Sequence, residues 1–283
     1  MSQTKLLIDG KFVNSASGET FQTINPATEE VITNVQRAGT EDVDRAVAAA
    51  RRAFDHGPWR RMSGYERGQC LNRLADLVSK HADELAALEA LDNGKTKNFA
   101  GAADVPLTEK TYRYYSGWAD KIHGKVVPHS GGNFFHYTRE EAVGVCAQII
   151  PWNFPLLMQA WKLGPALCCG NTVVMKTAEQ TPLSALRIGE LIMEAGFPEG
   201  VVNLLSGFGE DVGRHLAQHR DVDKVAFTGS TEVGYEIMRH SHKHNLKRIS
   251  LELGGKSANI ICDDADMDTA ITASQFGLFM NQG

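Results

Sequence analysis

From Val143 to Leu253 the chain alternates short apolar runs with longer stretches of helical periodicity, and no other feature restricts its fold as much. Val143 to Ile150, Thr172 to Lys176, Val201 to Leu205, Lys224 to Thr228 and Arg248 to Leu253 are short and rich in branched residues, as buried strands are. Leu156 to Cys169 reads as a helix ended by Gly170-Asn171. Pro182 to Ala195 reads as another, with Thr181 as N-cap, Pro182 at the first helical position and Gly196 after the last. A short helix precedes Lys224, and Ser230 opens one that runs to about His240. Such alternation with short turns calls for an α/β fold with a doubly wound parallel sheet. Ligands of that sheet lie beyond the carboxyl ends of its strands, so the residues just after each strand are the ones to read for chemistry.

The flanking segments are of other kinds. Asp9-Gly10 is a hairpin turn between Leu6–Ile8 and Lys11–Val13. Thr40 is expected to cap a helix with apolar face Val43, Ala46, Val47, Ala50 and Phe54, stopped by Gly57-Pro58. Ser63 and Glu66 form a capping box for a helix carrying Leu71, Leu74, Leu77 and Val78. A further helical stretch ends near Asn93-Gly94, and another spans roughly Pro106 to Ile122. From Gly124 to Glu141 glycine, proline, asparagine and aromatics replace the helical pattern, which reads as a β-excursion from the body. Beyond Leu253, Asn259 to Cys262 is expected as a strand and Met267 to Met280 as a helix.

Composition removes several functions. With 283 residues, 42% hydrophobic and 22% charged, the chain can bury a large core. Its net charge of -5, with no basic stretch, argues against nucleic acid or an anionic membrane as partner. The start, Met1 to Gly10, is too short and polar for a secretory leader, and no apolar run approaches the roughly 20 residues that span a bilayer. A cytoplasmic protein is expected. Five cysteines without framework spacing point to reduced thiols. Cys146 and Cys262 in apolar strands, and Cys168-Cys169 in a helix, are expected to be inert.

Each strand end offers a candidate. Pro151-Trp152-Asn153-Phe154-Pro155 fixes Asn153 between two prolines, either as a donor to a developing oxyanion or as a turn asparagine bonded to its own backbone. Lys176 and Glu179 suit the hydroxyls of a ribose, or form a solvated ion pair. Gly207-x-Gly209-x-x-x-Gly213 is one residue longer than the usual dinucleotide fingerprint and weak alone. Gly229-Ser230-Thr231-Glu232-Val233-Gly234 follows a strand and opens a helix, so its amides suit an anion, with Ser230 a phosphate ligand or a cap. Glu252 sits between two leucines, ahead of Gly254-Gly255. It is either a base whose proton affinity is raised by apolar surroundings or an outward carboxylate. His240, His242 and His244 lack a further ligand to complete a shell, so no metal site is expected there.

Taken together, Ile149–Pro155, Val173–Pro182, Glu194–Pro198, Val225–Gly234, Leu251–Lys256 and Phe279–Gly283 resemble the aldehyde dehydrogenase superfamily, in its order and over almost the whole chain. The subgroup resembled is the tetrameric class of cytosolic and mitochondrial aldehyde and retinal dehydrogenases. The resemblance implies a Rossmann-like NAD-binding domain over 1–253, with 124–141 inserted as an oligomerisation hairpin, and the beginning of a second α/β catalytic domain at 254–283. It implies that Lys176 and Glu179 hold the adenosine ribose, beside Ala178, and that Trp152, Gly229 and Ser230 lie around the pyrophosphate. Ile149, Ile150, Pro151, Gly209, Gly213, Phe227, Thr228, Val233, Gly234, Leu253 and Gly254 complete the cofactor cleft. Asn153 would serve the oxyanion as well as the cofactor, and Glu252 would be the general base. Trp161 and Met158 would line the substrate entrance. The implied reaction oxidises a small-molecule aldehyde to an acid with NAD as hydride acceptor, in a homo-oligomer. The family's nucleophilic cysteine follows the Phe-x-Asn-x-Gly segment by a few residues, so the chain reads as a fragment. The alternative is an NAD-binding module or a structural remnant without redox activity.

Overall fold

A computed structural model of the chain describes residues 3–129 and 131–282. Its sheet has the order β11-β10-β7-β8-β9-β1-β2. The five strands β7 (Val145–Ile149), β8 (Thr172–Lys176), β9 (Val202–Leu205), β10 (Lys224–Thr228) and β11 (Arg248–Glu252) run parallel. β1 (Leu6–Ile8) and β2 (Lys11–Val13) close one edge antiparallel. Asp9 and Gly10 both have positive φ, as the tight turn between them requires.

Strand alternation divides the core in two. Val145, Ala147, Ile149, Val174 and Leu205 face one layer, with α1 (Thr40–Asp55), α9 (Arg214–Gln218) and α10 (Thr231–Ser241). Cys146, Val173, Met175, Val202 and Leu204 face the other. There they meet α3 (Gly64–Lys80), α4 (Ala82–Asn93), α6 (Val105–Trp118), α7 (Pro155–Cys168) and α8 (Leu183–Glu194). The smaller helices α2 (Pro58–Arg61) and α5 (Lys97–Phe99) join these, a π turn at Ala100–Asp104 leads into α6, and β3 (Thr20–Ile24) pairs with β4 (Val31–Gln36). Trp59 on α2 is fully buried and donates from Nε1 to the Asn171 carbonyl at 3.0 Å, tying that layer to the start of β8. The excursion near residue 130 is a hairpin of β5 (Val126–Val127) and β6 (His136–Tyr137), with Phe134, Phe135 and Tyr137 exposed.

Several expectations shift. Gly39, not Thr40, is the N-cap of α1, and the Asp42 carboxylate accepts from its N–H at 3.0 Å. Pro182 is itself the N-cap of α8, one residue after the expected cap at Thr181. The Ser63–Glu66 capping box is present as expected. Asn259–Cys262 is not a strand: it has no neighbouring strand to pair with, and Ile260 is 83% exposed. α11 (Met267–Phe279) forms, but none of its residues is buried. No helix among the described residues is long and apolar enough to cross a membrane.

Candidate functional site

Strands β8 and β9 continue from β7 in one direction, and β10 and β11 lie on its other side. The strand order therefore reverses between β7 and β10, the place where a doubly wound sheet opens a crevice. A cleft of about 540 Å³ lies there. Ile149, Ile150, Pro151 and Trp152 line it from the end of β7, and Lys176, Ala178 and Glu179 from the end of β8. Gly209 and Gly213 come from the π turn before α9. Phe227, Thr228, Gly229, Ser230 and Val233 close it from the β10–α10 turn.

A second cleft of about 980 Å³ shares Pro151, Trp152, Thr228, Gly229 and Ser230 with the first. Beyond that common wall it is lined by Asn153, Met158, Trp161, Glu252, Leu253 and Gly254. Gly234, the remaining expected contact, reaches neither cleft. It packs behind the turn, where an added Cβ would stand 2.8 Å from Leu253 Cδ2. Gly283, the end of the last motif, lies outside the described residues.

The site's polar groups are arranged for different tasks. Lys176 Nζ donates to Glu179 Oε2 at 2.8 Å and to the Thr177 carbonyl at 2.9 Å. Burial pulls the lysine below its ordinary range, with Glu179 opposing. Burial pushes Glu179 up, but the charge and hydrogen bond of Lys176 prevail and leave it below the usual carboxylate range. The pair is held at the cleft wall rather than solvated.

The turn after β10 is tight because only glycine fits: a Cβ on Gly229 would stand 2.5 Å from the Phe227 ring. The Gly229 N–H is already donated to the Glu252 carbonyl at 3.0 Å, and Ser230 Oγ caps α10 by accepting from Val233 N–H at 3.2 Å. The capping role of Ser230 is the one present. The amides free for an anion are those that open α10, at Thr231 and Glu232, rather than that of Gly229.

Asn153 departs from the self-bonded turn. Its side-chain oxygen is buried and has no partner, while its backbone carbonyl accepts from Lys95 Nζ at 3.1 Å and from Asn281 Nδ2 at 3.0 Å. The side-chain oxygen is thus not spent on the turn's own backbone, and Asn153 lines the second cleft. Glu252 differs from the enclosed carboxyl expected of it. Its residue is exposed, because β11 is the sheet's edge strand and its outer face carries no layer.

The sequence reading missed two lysines. Lys162, on α7, has its ammonium pulled down to about 8 by burial, with Glu252 opposing. Lys95 forms a fully buried ion pair with Asp104 at 2.6 Å and lies 4.3 Å over the Phe154 ring. Neither had a usable signature, since each is a lone lysine whose burial is decided by distant elements. Two thiol expectations are also corrected. Cys262 is exposed in an irregular segment, not a strand. The Cys168 thiol hydrogen-bonds Cys169 at 3.8 Å, which pushes Cys168 up and Cys169 down, so the second is the more acidic of the pair. Cys146 meets its expectation: burial pushes it up to about 12.

A doubly wound parallel sheet with adjoining clefts at its switch point defines an α/β protein of the crevice-binding kind. Its particular family follows from comparison: residues 12–283 match the aldehyde dehydrogenase family, and the chain belongs to it. It is 59% identical over 280 residues to the mitochondrial aldehyde dehydrogenase of Homo sapiens, covering 99% of this chain and 54% of that protein. It is 56% identical over 283 residues to mitochondrial aldehyde dehydrogenase family 2 member B4 of Arabidopsis thaliana, covering 100% and 52%. The NAD+ complex of an aldehyde dehydrogenase from Bacillus cereus superposes with a TM-score of 0.96 at 52% identity, covering 99% of this chain and 56% of that one. The chain therefore spans about half the length of the relatives it matches.

Proposed function

We propose that this chain is the NAD-binding portion of an oxidoreductase that converts aldehydes to carboxylic acids. The observation that carries the reading is the shared wall. Pro151, Trp152, Thr228, Gly229 and Ser230 belong to both clefts, so one elongated ligand can lie in the first and present its end to the second. NAD has that two-part shape, and when bound it supplies a nicotinamide ring that accepts hydride.

This chain's own residues fit the group. Glu179 and Lys176 would hold the ribose hydroxyls, and the carboxylate would repel a 2′-phosphate, which favours NAD over NADP. Ile149, Ile150, Phe227 and Val233 offer apolar walls for the adenine, with Ala178, Gly209 and Gly213 beside it. The opening turn of α10 suits the pyrophosphate. Leu253 and Gly254 flank the second cleft with Glu252. There Asn153 lines the cleft, so its Nδ2 would donate to an oxyanion, and Glu252, open to solvent, would take a proton from water. Lys162 stands close enough to influence Glu252. None of the five cysteines lines either cleft, so the chain lacks the nucleophile that the family chemistry uses.

Two further parts belong to the same reading. The exposed aromatics of the β5–β6 hairpin would pair with another copy in a homo-oligomer. Five free cysteines fit a reducing compartment, the cytoplasm in our reading, although two of the relatives above are named as mitochondrial.

Titration with NADH, followed by its fluorescence, tests the binding half. An absorbance assay with aldehyde and NAD+ tests turnover. Saturable binding without turnover is expected of the 283-residue chain. Absence of binding would reduce it to a structural remnant, and turnover would require another nucleophile.

A further inference from the structure

We propose that Asp44, His215 and His219 form a site for a first-row divalent metal ion of the zinc class, at the junction of α1 and α9. Asp44 Oδ1 lies 2.6 Å from His215 Nε2 and 3.3 Å from His219 Nε2. All three ligand atoms fall within 4.8 Å of one another. Donors bound at roughly 2.0–2.2 Å around a tetrahedral ion stand about 3.4 Å apart. The His219–Asp44 span already has that value, and His215 needs to withdraw by less than about 1 Å to match it.

The scaffold holds the ligands before an ion arrives. His215 and His219 are four residues apart along α9 and its C-terminal turn, so their rings fall on one face. Leu216 and Ala217, between them, share a core with Val43, Ala46 and Val47 of α1, the helix that carries Asp44. Asp44 is 57% exposed while the imidazoles are 23% and 14% exposed, which leaves the fourth position open to water. Two imidazoles and one carboxylate suit zinc, cobalt, nickel or copper rather than calcium or magnesium.

A ligating imidazole presents an unprotonated nitrogen to the ion. Binding at Nε2 moves each ring proton to Nδ1. Gln218, whose Nε2 lies 3.5 Å from His215 Nδ1, would turn its carboxamide to accept, releasing the bond its Oε1 accepts from Lys243 Nζ at 3.4 Å. His219 must release the bond its Nδ1 accepts from Asp221 N–H at 3.1 Å, which makes this a weaker centre than a closed structural one.

Titration of the chain with Co²⁺ gives the direct readout, because tetrahedral cobalt absorbs visibly and Zn²⁺ bleaches the band on displacement. One ion per chain is expected. His215→Ala and Asp44→Asn, each checked by circular dichroism for an intact fold, should weaken binding by at least about tenfold. His242→Ala, at an exposed histidine elsewhere, should leave it unchanged. Absence of a band and of one-to-one calorimetric heat, binding that survives both substitutions, or equal competition by Ca²⁺ would each overturn the proposal. Should either variant lose its fold, protection of His215 from diethyl pyrocarbonate by Zn²⁺ in the unmodified chain decides between the same outcomes.

Discussion

The ammonium of Lys176 donates a 2.8 Å hydrogen bond to the carboxylate of Glu179, joining the last residue of a buried strand to the wall of the first cleft. A carboxylate fixed in this way costs little further ordering when it receives two hydroxyls. Glu179→Ala should therefore weaken NADH binding by about tenfold or more, or roughly 1.4 kcal/mol. Gly229→Val should abolish it, because even a Cβ would meet the Phe227 ring at 2.5 Å. Fluorescence titration checks both, and unchanged affinity in the two variants would remove the first cleft as the cofactor site.

Lys95 and Asp104 form the most buried ion pair of the described residues, with side chains 1% and 0% exposed. Removing one partner leaves a charge in the core, so Lys95→Met should cost about 3–5 kcal/mol. Lys95→Met with Asp104→Leu should recover much of that loss, since an apolar pair of similar volume leaves no charge unpaired. Urea unfolding of the three variants measures it. A single-variant loss below about 1 kcal/mol would mean that the charge is not enclosed as the geometry has it.

Two buried carboxyls give stability a pH dependence. Burial pushes both Glu89 and Asp92 up to about 7, Asp92 against hydrogen bonds from Leu183 N–H and Thr23 Oγ1. Their folded forms hold protons that the unfolded chain has released above about pH 4. Stability should therefore fall as pH rises from about 5 to 7, by up to roughly 1.4 kcal/mol per pH unit for each group, and then level off. Glu89→Gln should flatten its share of the slope. Unfolding curves at pH 5, 6 and 7 that rise instead of falling would reverse the assignment.

The parallel strands were readable because each is a compact apolar run followed by a turn, and β8 and β10 begin and end where that pattern does. The first cleft was readable for the same reason: strand ends converge, so Ile149, Lys176 and Gly229 meet without any knowledge of distance. What stayed hidden depends on which face is covered. Glu252 resembles an enclosed carboxyl by its neighbours, yet it stands on an edge strand with nothing packed over it. Asn259–Cys262 has strand composition but no partner strand. The Lys95–Asp104 pair depends on how the segment before α5 folds against the π turn, and Asp44 reaches the i, i+4 pair His215 and His219 from another helix, which local spacing does not reveal.

Thiol reactivity should follow access and proton affinity rather than sequence environment. Cys262 is exposed and Cys169 is half-buried and made more acidic by Cys168, whereas Cys146 is buried with a thiol near 12. Brief treatment with iodoacetamide at neutral pH should label Cys262 first and Cys169 next, leaving Cys70, Cys146 and Cys168 largely unmodified. Peptide mass mapping reads the order, and early labelling of Cys146 would show the sheet to be open.

Residues 254–282 leave apolar groups uncovered: Ile260 is 83% exposed, Phe276 66% and Phe279 69%, and α11 buries none of its residues. Such a surface stabilises nothing and attracts other molecules. Its tie to the body includes the Asn281 bond to the Asn153 carbonyl at 3.0 Å, which is worth about 1 kcal/mol at most in a partly solvated place. A chain cut after Leu253 should therefore unfold in urea within about 1 kcal/mol of the 283-residue chain. Over the same comparison, binding of an apolar dye and self-association by light scattering should drop. A loss of several kcal/mol on truncation would instead mean that α11 packs against the sheet edge in solution, covering Glu252 and closing the second cleft.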